Sequence, residues 1–382
     1  MRMMFINIIS AYILINSYLF VRGWQNLPSG PGLRLAYTIL FWPIALSFLG
    51  SRIFENSLPP ALMEIMTWVG AFWLAAFFYL FLFVLLADVL RVVNHFLPFF
   101  PGFITENYTR AKQVTPGLVL VMTALITAGG FINARSPMVT EIELSIDKEA
   151  GSLKQINIAL AADIHAGTIV GSSWLRRIID KINALSPDMV LLPGDIMDDR
   201  MELAEKKNLG EELRRLEAPL GVFAALGNHE YICCEGEAAS RYLTEQNITV
   251  LRDERIKIND SFFLIGRDDL SAGRRTGGEE RKDLEALMDG IDRRFPVILM
   301  DHQPHNLGEA AEHGVDLQVS GHTHNGQMWP FNYIIRAMYE LAWGYKRIGD
   351  THYYVTNGAA VWGPPVRVGN RPEIVFIRLN FK

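Results

Sequence analysis

The sequence predicts an α/β domain preceded by an α-helical transmembrane region of about four spans. Three observations predict it. Four long apolar stretches occur before Asn133. From about Met138 onward, short apolar runs of strand length alternate with amphipathic helical stretches. Five short clusters rich in Asp, Asn and His each follow one of those runs, where a strand would end and a loop begin. At 382 residues the chain is long enough for both parts. The boundary is expected at 135/136, with residues 1–135 as anchor region and 136–382 as the second domain.

The apolar stretches cover about Met3–Val21, Leu33–Leu49, Ile65–Leu90 and Pro116–Ile132. Each approaches the roughly 20 residues a helix needs to cross hydrocarbon. Trp24, Trp42, Trp68 and Trp73 lie near several ends, where amphipathic rings favour the interface. The first stretch lacks a small-residue cleavage site and three more spans follow, which argues against a removable signal peptide. Leu33–Leu49 is interrupted by Pro43, so a break is expected there. Asp88 and Glu64 fall at the margins of the third span, where long or polar side chains reach water cheaply. With four spans the N-terminus and the second domain share a side. That side carries Arg2, Arg52 and Arg135, whereas the opposite loops carry Arg22, Arg34, Arg91, Arg110 and Lys112. The positive-inside rule then places the second domain outside the cytoplasm, on a multi-pass protein of the cell (inner) membrane.

In the second domain Glu141–Ile146 alternates with period two, as a half-exposed strand does. Ile156–Ala162, Met189–Pro193, Val222–Leu226, Val297–Met300 and Leu317–Ser320 read as buried strands. Between them Ser172–Leu185, Glu202–Leu216, Glu235–Gln246 and Lys282–Met288 read as helices, with Ser172 and Ser173 as candidate caps. Arg255–Ile258 and Phe262–Ile265 form a hairpin pattern around Asn259-Asp260-Ser261, and strands recur near Tyr353–Thr356 and Ile374–Leu379. Strands alternating with helices imply largely buried sheets with crossover helices.

The five clusters are Asp163-Ile164-His165, Gly194-Asp195-Ile196-Met197-Asp198, Gly227-Asn228-His229-Glu230, Asp301-His302-Gln303-Pro304 and Gly321-His322-Thr323-His324. They hold most of the hard oxygen and imidazole ligands that two divalent cations need. Two such cations a few ångströms apart require a shared anion to offset their repulsion, and Asp195 is the best candidate. Asp163 and His165, two residues apart, are expected on one side of an extended segment. Asn228 offers a neutral amide oxygen; His302, His322 and His324 add imidazoles. Mixed carboxylate and imidazole suits Mn, Fe or Zn better than Ca or Mg.

The five clusters in this order resemble those of the calcineurin-like metallophosphoesterases, over roughly Gln155 to Leu379. The resemblance implies a two-sheet sandwich with flanking helices. It implies that Asp163, His165, Asp195 and His324 bind one metal, and Asp195, Asn228, His302 and His322 the other. His229 would be the proton donor, Asp198 would stand just behind the ligands, and Asn228, His229 and Asp198 would be the catalytic group. The reaction implied is hydrolysis of a phosphate ester by a hydroxide held between the metals. The ending Asn357-Gly358-Ala359 through Val366-Arg367-Val368 and Pro372-Glu373-Ile374 looks like that of the membrane-tethered bacterial branch, which usually has Gly where Asn325 follows His324.

Substrate is less defined. A helix read from about Asn332 puts Ile335, Met338, Tyr339 and Ala342 on one face and pairs Arg336 with Glu340. An interfacial flap admitting a phospholipid or a lipid-linked phosphodiester or pyrophosphate satisfies this pattern. An ordinary helix covering the core satisfies it equally. The lipid bilayer is the expected partner either way. Up to Arg135 there are eight basic and four acidic residues, leaving 28 and 37 beyond it, for a net charge of −5. That acidic second domain argues against a nonspecific nucleic-acid binder and against the nuclease alternative within the same fold. A noncatalytic membrane scaffold or sensor is the remaining alternative. The two cysteines, Cys233 and Cys234, are adjacent and cannot staple distant segments; a packing role is expected. The stretch Arg267 to Lys282, with Arg274-Arg275 and Gly277-Gly278, reads as an exposed loop. His305 reads as outer or surface.

Overall fold

The computed structural model describes residues 2–54, 57–273 and 280–382. It divides into two compact units, Met1–Phe131 with Gly363–Pro365, and Ile132–Trp362 with Val366–Lys382. The expected loop around Arg274-Arg275 and Gly277-Gly278 lies outside the described residues.

The first unit carries helices Arg2–Asn26, Pro31–Ile53, Pro60–Phe96 and most of Tyr108–Ala134, all long and apolar enough to cross a membrane. The second helix runs through Pro43 without ending. A single proline costs one backbone bond, which a long apolar helix packed on its neighbours tolerates. Helices two and three meet through small residues. Ala45, Ser47 and Ser51 are buried on one, and Gly70, Ala71 and Ala75 on the other. A Cβ on Gly70 would lie 2.5 Å from the Phe48 nitrogen, so the two backbones can approach only because none is there. Inside this unit Trp73 Nε1 donates to Asn16 Oδ1 (3.1 Å). Asp88 is not simply reaching for water, since it pairs with Arg22 and accepts from the Tyr18 hydroxyl at 2.6 Å.

The second unit holds two six-stranded sheets. The strands are β1 Met138–Ile146, β2 Gln155–Leu160, β3 Met189–Pro193, β4 Val222–Ala225, β5 Thr249–Val250, β6 Glu254–Ile258, β7 Phe262–Gly266, β8 Val297–Met300, β9 Leu317–Ser320, β10 Gly344–Ile348, β11 Thr351–Val355 and β12 Glu373–Phe381. One sheet has the order β1-β12-β2-β3-β4-β5 and the other β10-β11-β9-β8-β7-β6. Strands β2 to β5 are mutually parallel, as are β7, β8, β9 and β11; β6–β7 is the antiparallel hairpin expected around Asn259–Ser261.

Period-two alternation builds the layers. Ile158, Leu160, Leu191, Met300, Val319 and Ile377 meet between the sheets. Their sequence neighbours Ala159, Val190, Leu192 and Ala224 face a helical layer led by Trp174, Leu175, Ile178, Ile179 and Ile182. The outer face of the second sheet packs Leu299 and Val297 on Leu284, Leu287, Leu307 and Ala310. Each fully buried large aliphatic contributes about 1.5–3 kcal/mol relative to exposure. The arrangement is the two-sheet sandwich with flanking helices.

Several local expectations are corrected. Gly171, not a serine, is the N-cap of the helix Ser172–Asn183; the Ser172 hydroxyl turns instead to the Lys207 carbonyl. The single helix expected over Glu202–Leu216 is two, Met201–Lys206 and Leu209–Leu213, because Asn208 is left-handed (φ 53°) and ends the first. The helix near Asn332 covers only Phe331–Met338. Tyr339 is extended, so Glu340 leaves the helix and pairs with Lys346 at 2.7 Å rather than with Arg336. Arg267 is buried, not in an exposed loop, and pairs with Asp301 (3.4 Å) and Glu309 (2.9 Å).

Candidate metal centre

The parallel strands converge the clusters. Asp163 and His165 follow β2, Asp195 follows β3, Asn228 and His229 follow β4, His302 follows β8, and His322 and His324 follow β9. All leave the carboxyl ends of parallel strands, the edge at which open α/β sheets place ligands. Asp163 and His165 are not on an extended segment as expected. β2 ends at Leu160, and both residues are left-handed (φ 55° and 50°). Two glycines of the motifs make room: a Cβ on Gly227 would lie 2.3 Å from Asp195 Oδ1, and one on Gly321 2.5 Å from Asp163 Oδ2.

Among the described residues, three groups of side chains bring ligand atoms within 4.8 Å of one another: Asp163, His165 and His324; His165, Asp195 and His229; Asp195, His302 and His322. Asp195 is shared by two of them. Its Oδ2 lies 3.2 Å from His302 Nε2 and 3.8 Å from His165 Nε2. Asn228 Oδ1 sits 2.9 Å from His322 Nδ1 and 3.3 Å from His302 Nε2. His165 Nε2 and His324 Nε2 face each other at 3.0 Å, and His324 Nε2 is 3.6 Å from Asp163 Oδ1. All seven expected ligands are thus brought together. Two imidazole nitrogens and carboxylate oxygens aimed at common points suit borderline divalent cations, so the donor set fits a metal pair.

Outer partners set ring orientation. His302 Nδ1 donates to the Pro193 carbonyl (2.8 Å), which turns Nε2 toward Asp195 and the shared centre. The backbone N–H of His322 donates to both Asp163 oxygens (2.9 and 3.0 Å). Asp198 Oδ1 is 2.7 Å from His229 Nδ1, orienting that ring, and lies 3.4 Å from His165 Nδ1.

Electrostatics follow the crowding. Burial pushes Asp163 up to about 6; nearby His302 opposes this and Asp195 adds to it. Burial would also raise Asp195, but His302, His229 and His165 outweigh it and hold the carboxyl well below the usual range. Burial and the charge of His302 bring His322 down to about 4, so its ring is neutral and able to ligate. For His229 burial disfavours the cation, yet Asp198, Asp195 and Glu230 raise it to about 9.

Three residues of this site had no role assigned from sequence. Glu230 is fully buried, and its carboxylate accepts from the N–H groups of Asp195 (3.0 Å), Ile196 (2.7 Å), Met197 (2.9 Å) and Gly227 (2.8 Å). Its place in the Gly-Asn-His-Glu cluster was the available signal. Arg367, 1 % exposed, donates to the His324 carbonyl (2.9 Å), His324 Nδ1 (3.0 Å) and the Asn357 carbonyl (2.7 Å). Gln303 donates to both oxygens of buried Asp269 (3.0 and 2.8 Å). Asp301 points away from the ligands, toward Arg267 and Arg281 (3.0 Å). His305 is exposed, stacked near Tyr339. Cys233 and Cys234 are joined to each other.

Comparison with known proteins agrees with this geometry. Residues 156–326, which include every candidate ligand, match the family model of the calcineurin-like phosphoesterases. A transmembrane protein with metallophosphoesterase domain from Danio rerio is 33 % identical over 273 residues, 69 % of this chain and 62 % of the relative. An uncharacterized metallophosphoesterase of Helicobacter pylori is 31 % identical over 266 residues, 69 % of each chain. One from Aquifex aeolicus is 32 % identical over 230 residues, 60 % of this chain and 86 % of the relative. The chain spans less than two thirds of the Danio rerio relative's length, and the likeness is not confined to bacterial proteins. On these matches and this ligand set, the chain belongs to the calcineurin-like metallophosphoesterase family.

Proposed function

We propose that this chain is a membrane-anchored hydrolase of phosphate esters, dependent on two divalent metal ions (Mn, Fe or Zn), with a lipid-associated substrate. The observation that carries the reading is the carboxylate of Asp195, which meets His165 and His229 on one side and His302 and His322 on the other, with Asp198 2.7 Å from His229. Asp163, His165, Asp195 and His324 would hold one ion, and Asp195, Asn228, His302 and His322 the other. Bound there, the ions would supply an acidified water and neutralise charge on the phosphoryl oxygens.

The chain's own residues supply the rest. Asp195 and Asp163 keep buried negative charge where cations are needed. Pro193, through its carbonyl, holds His302 with Nε2 turned toward Asp195 and the shared centre. Asp198 holds His229 by Nδ1, so Nε2 is the nitrogen that gives a proton to the departing oxygen.

Lipid as substrate is supported by the helix Phe331–Met338. A helix that merely covers a core turns polar residues outward, yet Tyr333, Ile334, Ala337 and Met338 are exposed here together with Trp329. Four helices of spanning length confine the enzyme to a bilayer, and the positive-inside count leans toward an extracytoplasmic second domain. The test is hydrolysis of bis-p-nitrophenyl phosphate, p-nitrophenyl phosphate, micellar phospholipids and a nucleotide-linked lipid by detergent-purified protein. Mn or Zn is added back after chelation. Metal-dependent cleavage favouring the micellar lipids is expected; metal bound with no ester cleaved overturns the reading in favour of a scaffold.

A further inference from the structure

The ring of Trp362 meets that of His229, and it is a bulky apolar neighbour of that imidazole. The two rings lie edge to face, 5.6 Å between centroids at 71°. The indole is 52 % exposed, which by itself is ordinary for a surface tryptophan. Its backbone is not ordinary. The Trp362 N–H donates to Gln327 Oε1 (3.0 Å), and its carbonyl accepts from Gln327 Nε2 (2.9 Å). Gln327 in turn donates its own N–H to the His324 carbonyl (2.9 Å) and accepts from Val368 N (3.0 Å). A half-exposed ring is therefore clamped in register with a ligand loop. Ile232, 47 % exposed, lies one turn beyond His229 on the helix Asn228–Cys233. The imidazole thus has a half-exposed indole against it and a half-exposed isoleucine one turn along its own helix.

We propose that Trp362 determines specificity on the leaving-group side: its indole receives the apolar body of the departing alcohol, favouring phosphate esters of acylated glycerol over those of the bare polyol. The inference rests on the reading of His229 as donor to the leaving oxygen, because the group beside the donor is then the group beside the leaving alcohol.

The test uses the full chain in detergent, loaded with Mn, as wild type, Trp362→Ala and Trp362→Phe. Substrates come in pairs: dihexanoyl phosphatidic acid against glycerol 3-phosphate, and dihexanoyl phosphatidylglycerol, scored only by release of dihexanoylglycerol, against glycerophosphoglycerol, scored by release of glycerol. The readout is the ratio of kcat/KM within a pair, with bis-p-nitrophenyl phosphate as control and bound metal as the check on folding. An indole covering about 60 Å² of acyl surface contributes roughly tenfold, so Trp362→Ala should lower the acylated-to-bare ratio about tenfold. Trp362→Phe, which keeps an aromatic face, should restore most of it. An unchanged ratio in Trp362→Ala, or an equal fall in both members of a pair, overturns the inference. Wild-type cleavage of the control but of none of the four glycerol esters overturns it while leaving the phosphoesterase reading standing. No cleavage of any ester with both metals bound removes that reading itself, and the inference with it.

Discussion

Replacing Glu230 by Gln isolates what its carboxylate does, since the two side chains have the same shape and the packing around position 230 is unchanged. Oε1 accepts from Ile196 and Met197, and Oε2 from Asp195 and Gly227, all inside a fully buried environment. Glutamine has one acceptor oxygen. Whichever way the amide is turned, two of the four N–H groups face an NH₂ and go unbonded. A buried N–H left without an acceptor costs about 1–3 kcal/mol, so the loss is roughly 2–6 kcal/mol, with about 4 as the central value. For a unit of this size 1 kcal/mol shifts Tm by about 2–4 °C, giving a fall of about 12 °C. The assay is thermal unfolding of chelated protein in detergent, followed by tryptophan fluorescence. Chelation matters because bound metal adds its own stabilisation to the native state. Glu230 also holds the Asp195 backbone, so the variant should bind metal more weakly on reloading. A fall below about 3 °C with undiminished metal affinity would refute the reasoning.

Two further substitutions separate metal binding from proton transfer. Asp195→Ala should drop bound metal below one ion per chain, because that carboxylate belongs to two ligand groups, whereas His324→Ala should leave close to one; elemental analysis after dialysis distinguishes them, and equal losses would argue against a shared ligand. His229→Ala should keep both ions and lose on the order of 10²–10⁴ in turnover, the usual contribution of a positioned acid; full turnover with full metal would dismiss the residue as donor.

The convergence of the candidate ligands was legible because hard donors are concentrated just after apolar runs, and the runs mark strand ends by length alone. Val297–Met300 and Leu317–Ser320 are strands with the bounds read from the sequence. β10, Gly344–Ile348, escaped notice because its residues are polar and aromatic and it lies at a sheet edge with alternate side chains exposed. The helix Asn228–Cys233 was hidden for another reason: six residues are too few to show a period, and it is held by the Glu230 carboxylate returning to Gly227 N. Glu230 and Arg367 act largely through main-chain groups of other loops, such as Met197 N–H and the His324 carbonyl, and such partners leave no pattern of residue types to read. Asp88 and Arg267 were misplaced by the same limit. A charged residue in a short window looks solvated until its counter-ion arrives from another element.

The backbone of the ligand loops was the largest gap, and it explains why the site is built as it is. Five of the seven candidate ligands are left-handed: Asp163 (55°), His165 (50°), Asp195 (53°), His322 (71°) and His324 (48°). Non-glycine residues enter that region at about 1–2 kcal/mol each. Five of them sum to several kcal/mol, comparable to the net stability of a domain. The gain is geometric. A strand that simply continued would send residues two apart in one direction along the sheet; a left-handed residue after the strand turns its side chain back across the sheet ends, so loops from both sheets can aim at one point. The cost is offset by bonds between the loops themselves. Asp163 N donates to Gly194 O (3.1 Å), His165 N to Asp195 O (3.0 Å), His322 N to Asp163, and Arg367 grips the His324 carbonyl. Each of these bonds joins one ligand loop to another or to a buried ion, so the strain at one position is relieved only while the other loops stay in place. The loops therefore hold or loosen as one network, and that is why a carboxylate behind the candidate ligands, such as Glu230, is expected to bear on metal binding as well as on folding.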